Sequence, residues 1–217
     1  MNKLIILVIC SNEPHYLKLE QIAKETWASG VHENIDIYFL HHDPEIKTSY
    51  IDGNIIYCKS EAGLENIGYK TIESFNLLKN YDFKYIFRTN LSSYIDQDKL
   101  YQKLLDLNAD YGGLPASHEQ IPFCSGAGYL LSKKSIHKII KNQELWDHNY
   151  IDDVALGLLM KTLGVGIYGN FGRQDIFFEN PSIQEHHFHY RIKFNNDRHK
   201  EYEVFKQIYK QKSLIKL

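Results

Sequence analysis

The stretch YIFRTNLSSYIDQDKL, residues 85–100, decides how this chain is read. It opens on the apolar run KYIFRT (84–89), whose aromatic and β-branched residues suit a strand. A short polar turn follows, and KLYQKLLDL (99–107) has the spacing of a helix. The same strand–turn–helix order recurs on the N-terminal side. LIILVICS (4–11) is a continuous apolar run, as expected of a strand buried on both faces. A helix is expected from about residue 16 to 27, with Leu19, Ile22, Ala23 and Trp27 at helical spacing. IDIYFLHH (35–42) and NIIYC (54–58) read as strands, and GLENIGYKTIESFNLLKN (63–80) as a helix.

This alternation predicts an α/β fold with a mostly parallel central sheet flanked by helices. In such sheets ligands bind beyond the carboxyl ends of the strands. Those ends carry Ser11-Asn12-Glu13, His41-His42-Asp43 and Arg88-Thr89-Asn90, all polar. The second half is less regular. SGAGYLLS (125–132) reads as a glycine-rich turn entering a strand, KKSIHKIIKN as a helix, and IDDVALGLLMKTLG (151–164) as a helix opening on two acids. GVGIYG, DIFF and HHFHYRIKF are short strand candidates, and EYEVFKQIYKQK a closing helix. Without a repeat or linker, residues 1–217 read as one domain.

A net charge of −2 gives no electrostatic reason to expect nucleic acid or an anionic membrane as partner. Cys10, Cys58 and Cys124 form no C-x-x-C and cannot all pair, so reduced thiols and a cytoplasmic location are expected. LIILVIC is too short to span a bilayer, and no other run approaches that length, so a soluble protein is expected.

Four groups could carry chemistry. Asp96 and Asp98 spell a D-x-D, but they stand at the start of a helix, where capping and the helix dipole explain both. The turn at the strand's own end, Asn90-Leu91-Ser92, offers no carboxylate, and neutral oxygens hold Mg²⁺ or Mn²⁺ weakly. Asp152 and Asp153 head a helix; one could cap it and the other serve as a general base. His187 and His189 would share one face of a strand, with His186 on the other, a pair that could begin a zinc site. The glycines of Ser125–Tyr129 permit close backbone approach to a ligand, or simply a tight turn.

Taken in order, these segments resemble the fringe-like and β1,3-glycosyltransferase group, which has the GT-A fold. YLKLEQIAKETWAS, with Thr26-Trp27, is similar to that group's first helix, and GYKTIESF, with Lys70-Thr71, to the helix before its metal strand. FCSGAGYLLS resembles its G-x-G-[YF]-x-x-S strand, IDDVALG its [ED]-D-V-x-x-G helix start, and FHYR its histidine segment near the C-terminus. FRTNLSSYID stands where the group has a D-D-D turn.

The resemblance implies an inverting transfer from a nucleoside diphosphate sugar, most often UDP-linked, to a glycan hydroxyl, with a nucleotide-binding half to about residue 110 and an acceptor-binding half after it. It makes Asp152 or Asp153 the base, with Asp153 aligned on the group's second acid. Ser11, Asn12, Lys70, Arg88, Thr89, Asn90 and His189 would meet the nucleotide or its diphosphate. Gly113, within a Tyr111-Gly112-Gly113 turn, and Ser125, Gly126, Ala127 and Gly128 would wall the sugar and acceptor side. A Mn²⁺ or Mg²⁺ ion would fall near Ser92 and His189, yet the acids that usually hold it are replaced, so metal-independent action is the competing expectation. Arg88 could instead point into the sheet and pair with a buried acid. A rival function keeps the fold as a non-catalytic glycan- or nucleotide-binding protein; a zinc hydrolase built on the histidines lacks any H-x-x-x-H pair.

Overall fold

In the computed structural model, which describes residues 3–194 and 197–215, β1 (Leu4–Ile9) is buried along its whole length. The ends of the expected domain and residues 195–196 lie outside the described residues. Strand alternation sends β1 into two layers. Leu4, Ile6 and Val8 pack with α1 (Pro14–Glu25), α3 (Gln97–Leu105) and α6 (Glu201–Ile215). Ile5, Leu7 and Ile9 pack with α2 (Ile67–Leu78), α4 (Lys133–Lys141) and α5 (Asp152–Thr162). The sheet is therefore sandwiched between helical layers, which is why β1 carries no polar alternation.

The main sheet has the order β3-β4-β2-β1-β5-β8-β7. β2 (Ile35–His42), β4 (Ile55–Cys58) and β5 (Tyr85–Asn90) join β1 in a parallel centre. The edges are antiparallel: β3 (Tyr50–Asp52) pairs with β4, and β8 (Ile121–Ser132) pairs with both β5 and β7 (Tyr111–His118). The expected parallel sheet is thus its central part, within a mixed whole. A second sheet sets β10 (His189–Ile192) between β6 (Ser93–Ile95) and β9 (Arg173–Ile176). GVGIYG contributes a single bridge, Gly112 to Tyr168.

Ser125–Gly128 is not a turn but the middle of the twelve-residue β8, and Gly112-Gly113 lies within β7. The reversal between the two strands falls at Glu119 and Gln120, both at positive φ (48° and 65°). That is hairpin-turn geometry achieved without the Asn-Gly or Asp-Gly signal that usually reveals it. The glycines instead allow close packing; a Cβ on Gly113 would lie 2.7 Å from Cys124 Cβ.

Gly157 makes a related contact between α5 and β8. A Cβ there would lie 2.4 Å from Phe123 Cβ and 2.5 Å from the Pro122 carbonyl oxygen. Gly→Ala in a helix normally stabilises by about 1 kcal/mol. Here the obstacle includes backbone, so Gly157→Ala is expected to destabilise by about 1–3 kcal/mol as an overpacked site. A thermal melt reads the sign: a raised Tm would mean that α5 does not press on β8 as described.

Among the described residues no helix is long and apolar enough to cross a membrane. All three cysteines are free and buried, and burial pushes the Cys58 and Cys124 thiols up to about 12.

Candidate active site at the carboxyl ends of the central strands

A cavity of about 440 Å³ opens where β1 and β5 end. Both halves of the chain contribute to it. From the first come Ser11, Lys70, Arg88, Asn90 and Ser92; from the second, Ser125, Gly126, Ala127, Asp152 and Asp153. Ten of the residues singled out in the sequence are therefore brought together.

The two acids differ in position. Asp152 is buried and meets Arg88, whose Nη2 donates to Oδ2 at 2.5 Å. The other terminal nitrogen of Arg88 donates to the Gly126 carbonyl. Burial pushes the Asp152 carboxyl up, against the downward pull of Arg88. Asp153 is half-buried, and its carboxylate accepts from Gly126 N (2.7 Å) and Val154 N (3.0 Å). Neither acid caps α5, whose N-cap is Ile151; both lie in its first turn, favourable against the helix dipole. Gly126 cannot be larger without disturbance, since a Cβ would sit 2.9 Å from Asp153 Oδ2 and 3.1 Å from Arg88 Nη1.

Arg88 thus follows the alternative course, pairing with a buried acid. Lys70 is likewise occupied: its ammonium donates to the Cys10 carbonyl at 3.1 Å, and burial pulls its pKa down. Both line the cavity while buried and engaged with groups of the fold.

Several expected contacts are not made. Thr89 is fully buried, its hydroxyl donating to the Ala127 carbonyl, because strand alternation turns it away from Arg88. Asn12 opens onto a neighbouring depression beside His41, His42 and Asp43. Gly113 and Gly128 lie in the sheet outside the cavity wall; a Cβ on Gly128 would be 2.4 Å from His189 Cε1. His189 is buried under that glycine, its Nε2 2.9 Å from the Ser93 hydroxyl. Burial holds its pKa well below the usual value, so it stays neutral and lines no part of the cavity. His187 precedes β10 and bonds Gln184 at 3.0 Å, so the histidines do not converge on a metal.

The Asn90–Ser92 turn is committed internally. Asn90 Oδ1 accepts from Ser92 N (3.1 Å) and the Ser93 hydroxyl (3.4 Å), an Asx-type turn. Leu91 is buried in the core. Ser92 Oγ accepts from Arg198 Nη2 at 3.1 Å, and its carbonyl accepts from Ile192 N at 2.7 Å. A hard divalent cation seeks charged oxygens; this turn presents neutral oxygens already in use, next to a guanidinium. The residues do not fit a Mn²⁺ or Mg²⁺ ion at this turn.

Asp96, from the D-Q-D stretch, caps α3 by accepting from Lys99 N at 3.2 Å and pairs with Lys212 at 3.1 Å. The grouping of metal-type ligand atoms found among the described residues is Cys10, Glu20 and His41. Lys24 sits 2.6 Å from Glu20 Oε1 there, already supplying a cation, and burial keeps the Cys10 thiol protonated.

Three cationic cavity residues were not expected from the sequence: Arg191, Lys193 and Arg198. The signal was R-I-K, beginning in β10 and continuing just beyond it, with another arginine five residues on. The resemblance assigns FHYR to the ligand through its histidine, and no local pattern singles out the arginine two residues on. Placing these side chains needs the antiparallel pairing that puts Arg191 opposite Ser93.

With this geometry, the likeness to known proteins becomes specific. The galactosyltransferase family model matches residues 115–170, a segment that includes β8 and the acid pair. No curated protein matches the chain. The chain is similar in structure to a glycosyltransferase involved in glycosylating the major capsid of PBCV-1 (TM-score 0.56, 9% identity, covering 94% of this chain and 99% of that one). It is also similar to the galactosyltransferase LgtC (0.51, 11%, covering 96% and 95%). A third likeness is to the glycosyltransferase GlyE of Streptococcus pneumoniae (0.53, 12%, covering 98% and 64%). The chain has the GT-A fold.

Proposed function

We propose that this protein is a glycosyltransferase that moves a hexosyl group from a nucleoside diphosphate sugar, UDP-linked, to a glycan hydroxyl with inversion. The observation that carries the reading is a half-buried carboxylate, Asp153, facing the same cavity as a set of cations, at the carboxyl ends of a GT-A sheet. The galactosyltransferase match over residues 115–170 supports the reading.

In this reading Asp153 is the general base. The acceptor hydroxyl donates its proton to the carboxylate as the hydroxyl oxygen attacks the anomeric carbon. The bond from that carbon to the diphosphate oxygen breaks on the opposite face, and its electron pair leaves with the nucleoside diphosphate. Asp152 is a positioning residue: through Arg88 and the Gly126 carbonyl it fixes the strand whose amide holds Asp153. Developing charge on the leaving group needs fixed positive partners, and the cavity's cations provide them.

The test is incubation with a panel of UDP-sugars and oligosaccharide acceptors, followed by NMR of the product's anomeric signal. Transfer with inverted configuration is expected. Retained configuration would remove Asp153 as base. UDP-sugar binding without turnover on any acceptor would favour a non-catalytic binding protein.

A further inference from the structure

The cations that would meet a diphosphate are not the ones the sequence suggested. Arg88 is buried and its charge is paired with Asp152, Lys70 is buried against the Cys10 carbonyl, and His189 is buried and neutral. Arg191, Lys193 and Arg198 line the same cavity from its other side. Arg191 and Lys193 are brought there by β10, which pairs with β6 and docks on the Asn90–Ser92 turn, and Arg198 by the helical turn that precedes α6.

Arg198 is held in place from three directions. Its Nε donates to the buried Glu201 at 3.0 Å, Nη1 to the Tyr16 hydroxyl at 3.0 Å, and Nη2 to Ser92 Oγ at 3.1 Å. Such a fixed guanidinium suits phosphate oxygens, because little order is lost on binding. Arg191 has Asp175 at 3.8 Å and an Nε without a partner among the described residues. Lys193 is exposed, and its ammonium has no partner among the described residues. Lys193 therefore has donors to spare, Arg191 is only loosely paired, and Arg198 adds a fixed charge, next to a turn that is unfit for a divalent cation.

We propose that Arg191, Lys193 and Arg198 form a metal-independent diphosphate site, the guanidinium docked on Ser92 standing where a carboxylate-bound cation would otherwise act. This rests on the transferase reading and specifies its donor end.

Calorimetric titration of UDP, UMP and inorganic pyrophosphate, in EDTA and then in Mn²⁺, tests it on the intact protein. UDP is expected to bind in EDTA as tightly as in Mn²⁺, more tightly than UMP, and less tightly as salt is raised. Lys193→Gln and Arg191→Gln are each expected to weaken UDP about tenfold or more, the value of a charge-assisted hydrogen bond. Arg198→Gln should do the same, but it also disturbs Glu201 and Tyr16; Lys193→Gln avoids that ambiguity. UDP binding that appears only with Mn²⁺, or that is unchanged in both Lys193→Gln and Arg191→Gln, overturns the proposal and leaves the transferase reading standing. Absence of UDP and pyrophosphate binding under both conditions overturns the two together.

Discussion

Asp153→Asn is expected to lower kcat for glycosyl transfer by about a hundredfold or more, the usual contribution of a positioned general base, with little change in UDP affinity. The reason is local. Both carboxylate oxygens accept from backbone amides, Gly126 N and Val154 N, so the side chain is held in one orientation against β8. An asparagine can satisfy one of those amides, while its own NH₂ opposes the other and cannot take a proton from an acceptor. The melting temperature should fall modestly, since one hydrogen bond is worth about 1 kcal/mol. Stopped-flow or coupled measurement of UDP release, beside titration of UDP, separates the two effects. If kcat is unchanged while the melt shifts, Asp153 is a structural link between α5 and β8 and the base lies elsewhere.

The central architecture was open to reading because its signals are local. β1 and β2 are apolar or alternating runs, and α2 shows its buried face in Ile72, Phe75 and Leu78. The acid pair could be placed at the start of α5, but not divided into a buried partner and a half-buried one. That division depends on Arg88 in β5 and on β8, a strand that arrives from the second half to pair with it. The β7–β8 hairpin was misread because its glycines, which look like turn residues, permit side-chain and backbone approach within the sheet, while the turn uses Glu119 and Gln120. His189 was assigned to the ligand because the motif order matched. Its strand places it beneath Gly128, and a residue two positions later reaches the cavity. Properties set by pairing between distant strands are absent from any window of sequence, and most of the cavity's charge is such a property.

Arg88→Met should be the most damaging single change to stability. Methionine keeps much of the apolar stem but loses the guanidinium that lies over Tyr129, and it leaves the Asp152 carboxylate buried and unpaired. Removing one partner of a buried ion pair costs about 3–5 kcal/mol, a large share of the roughly 5–15 kcal/mol that holds a domain folded. The pH dependence follows from the direction of the Asp152 shift. Burial already raises its carboxyl, and loss of Arg88 removes the opposing pull, so it rises further. A carboxyl raised in the folded state stabilises fully below its unfolded pKa of about 3.9, and that stability is lost as pH climbs through the folded value. The deficit of Arg88→Met relative to the parent should therefore be small in acid and grow toward neutral pH, as read by denaturant melts across that range. Adding Asp152→Leu should recover much of the loss, because replacing both partners of a buried pair with apolar groups is often neutral or better. If the double variant is no more stable than Arg88→Met, the damage comes from the Gly126 carbonyl losing its donor, and the acid pair is anchored through β8 and not through the buried charge.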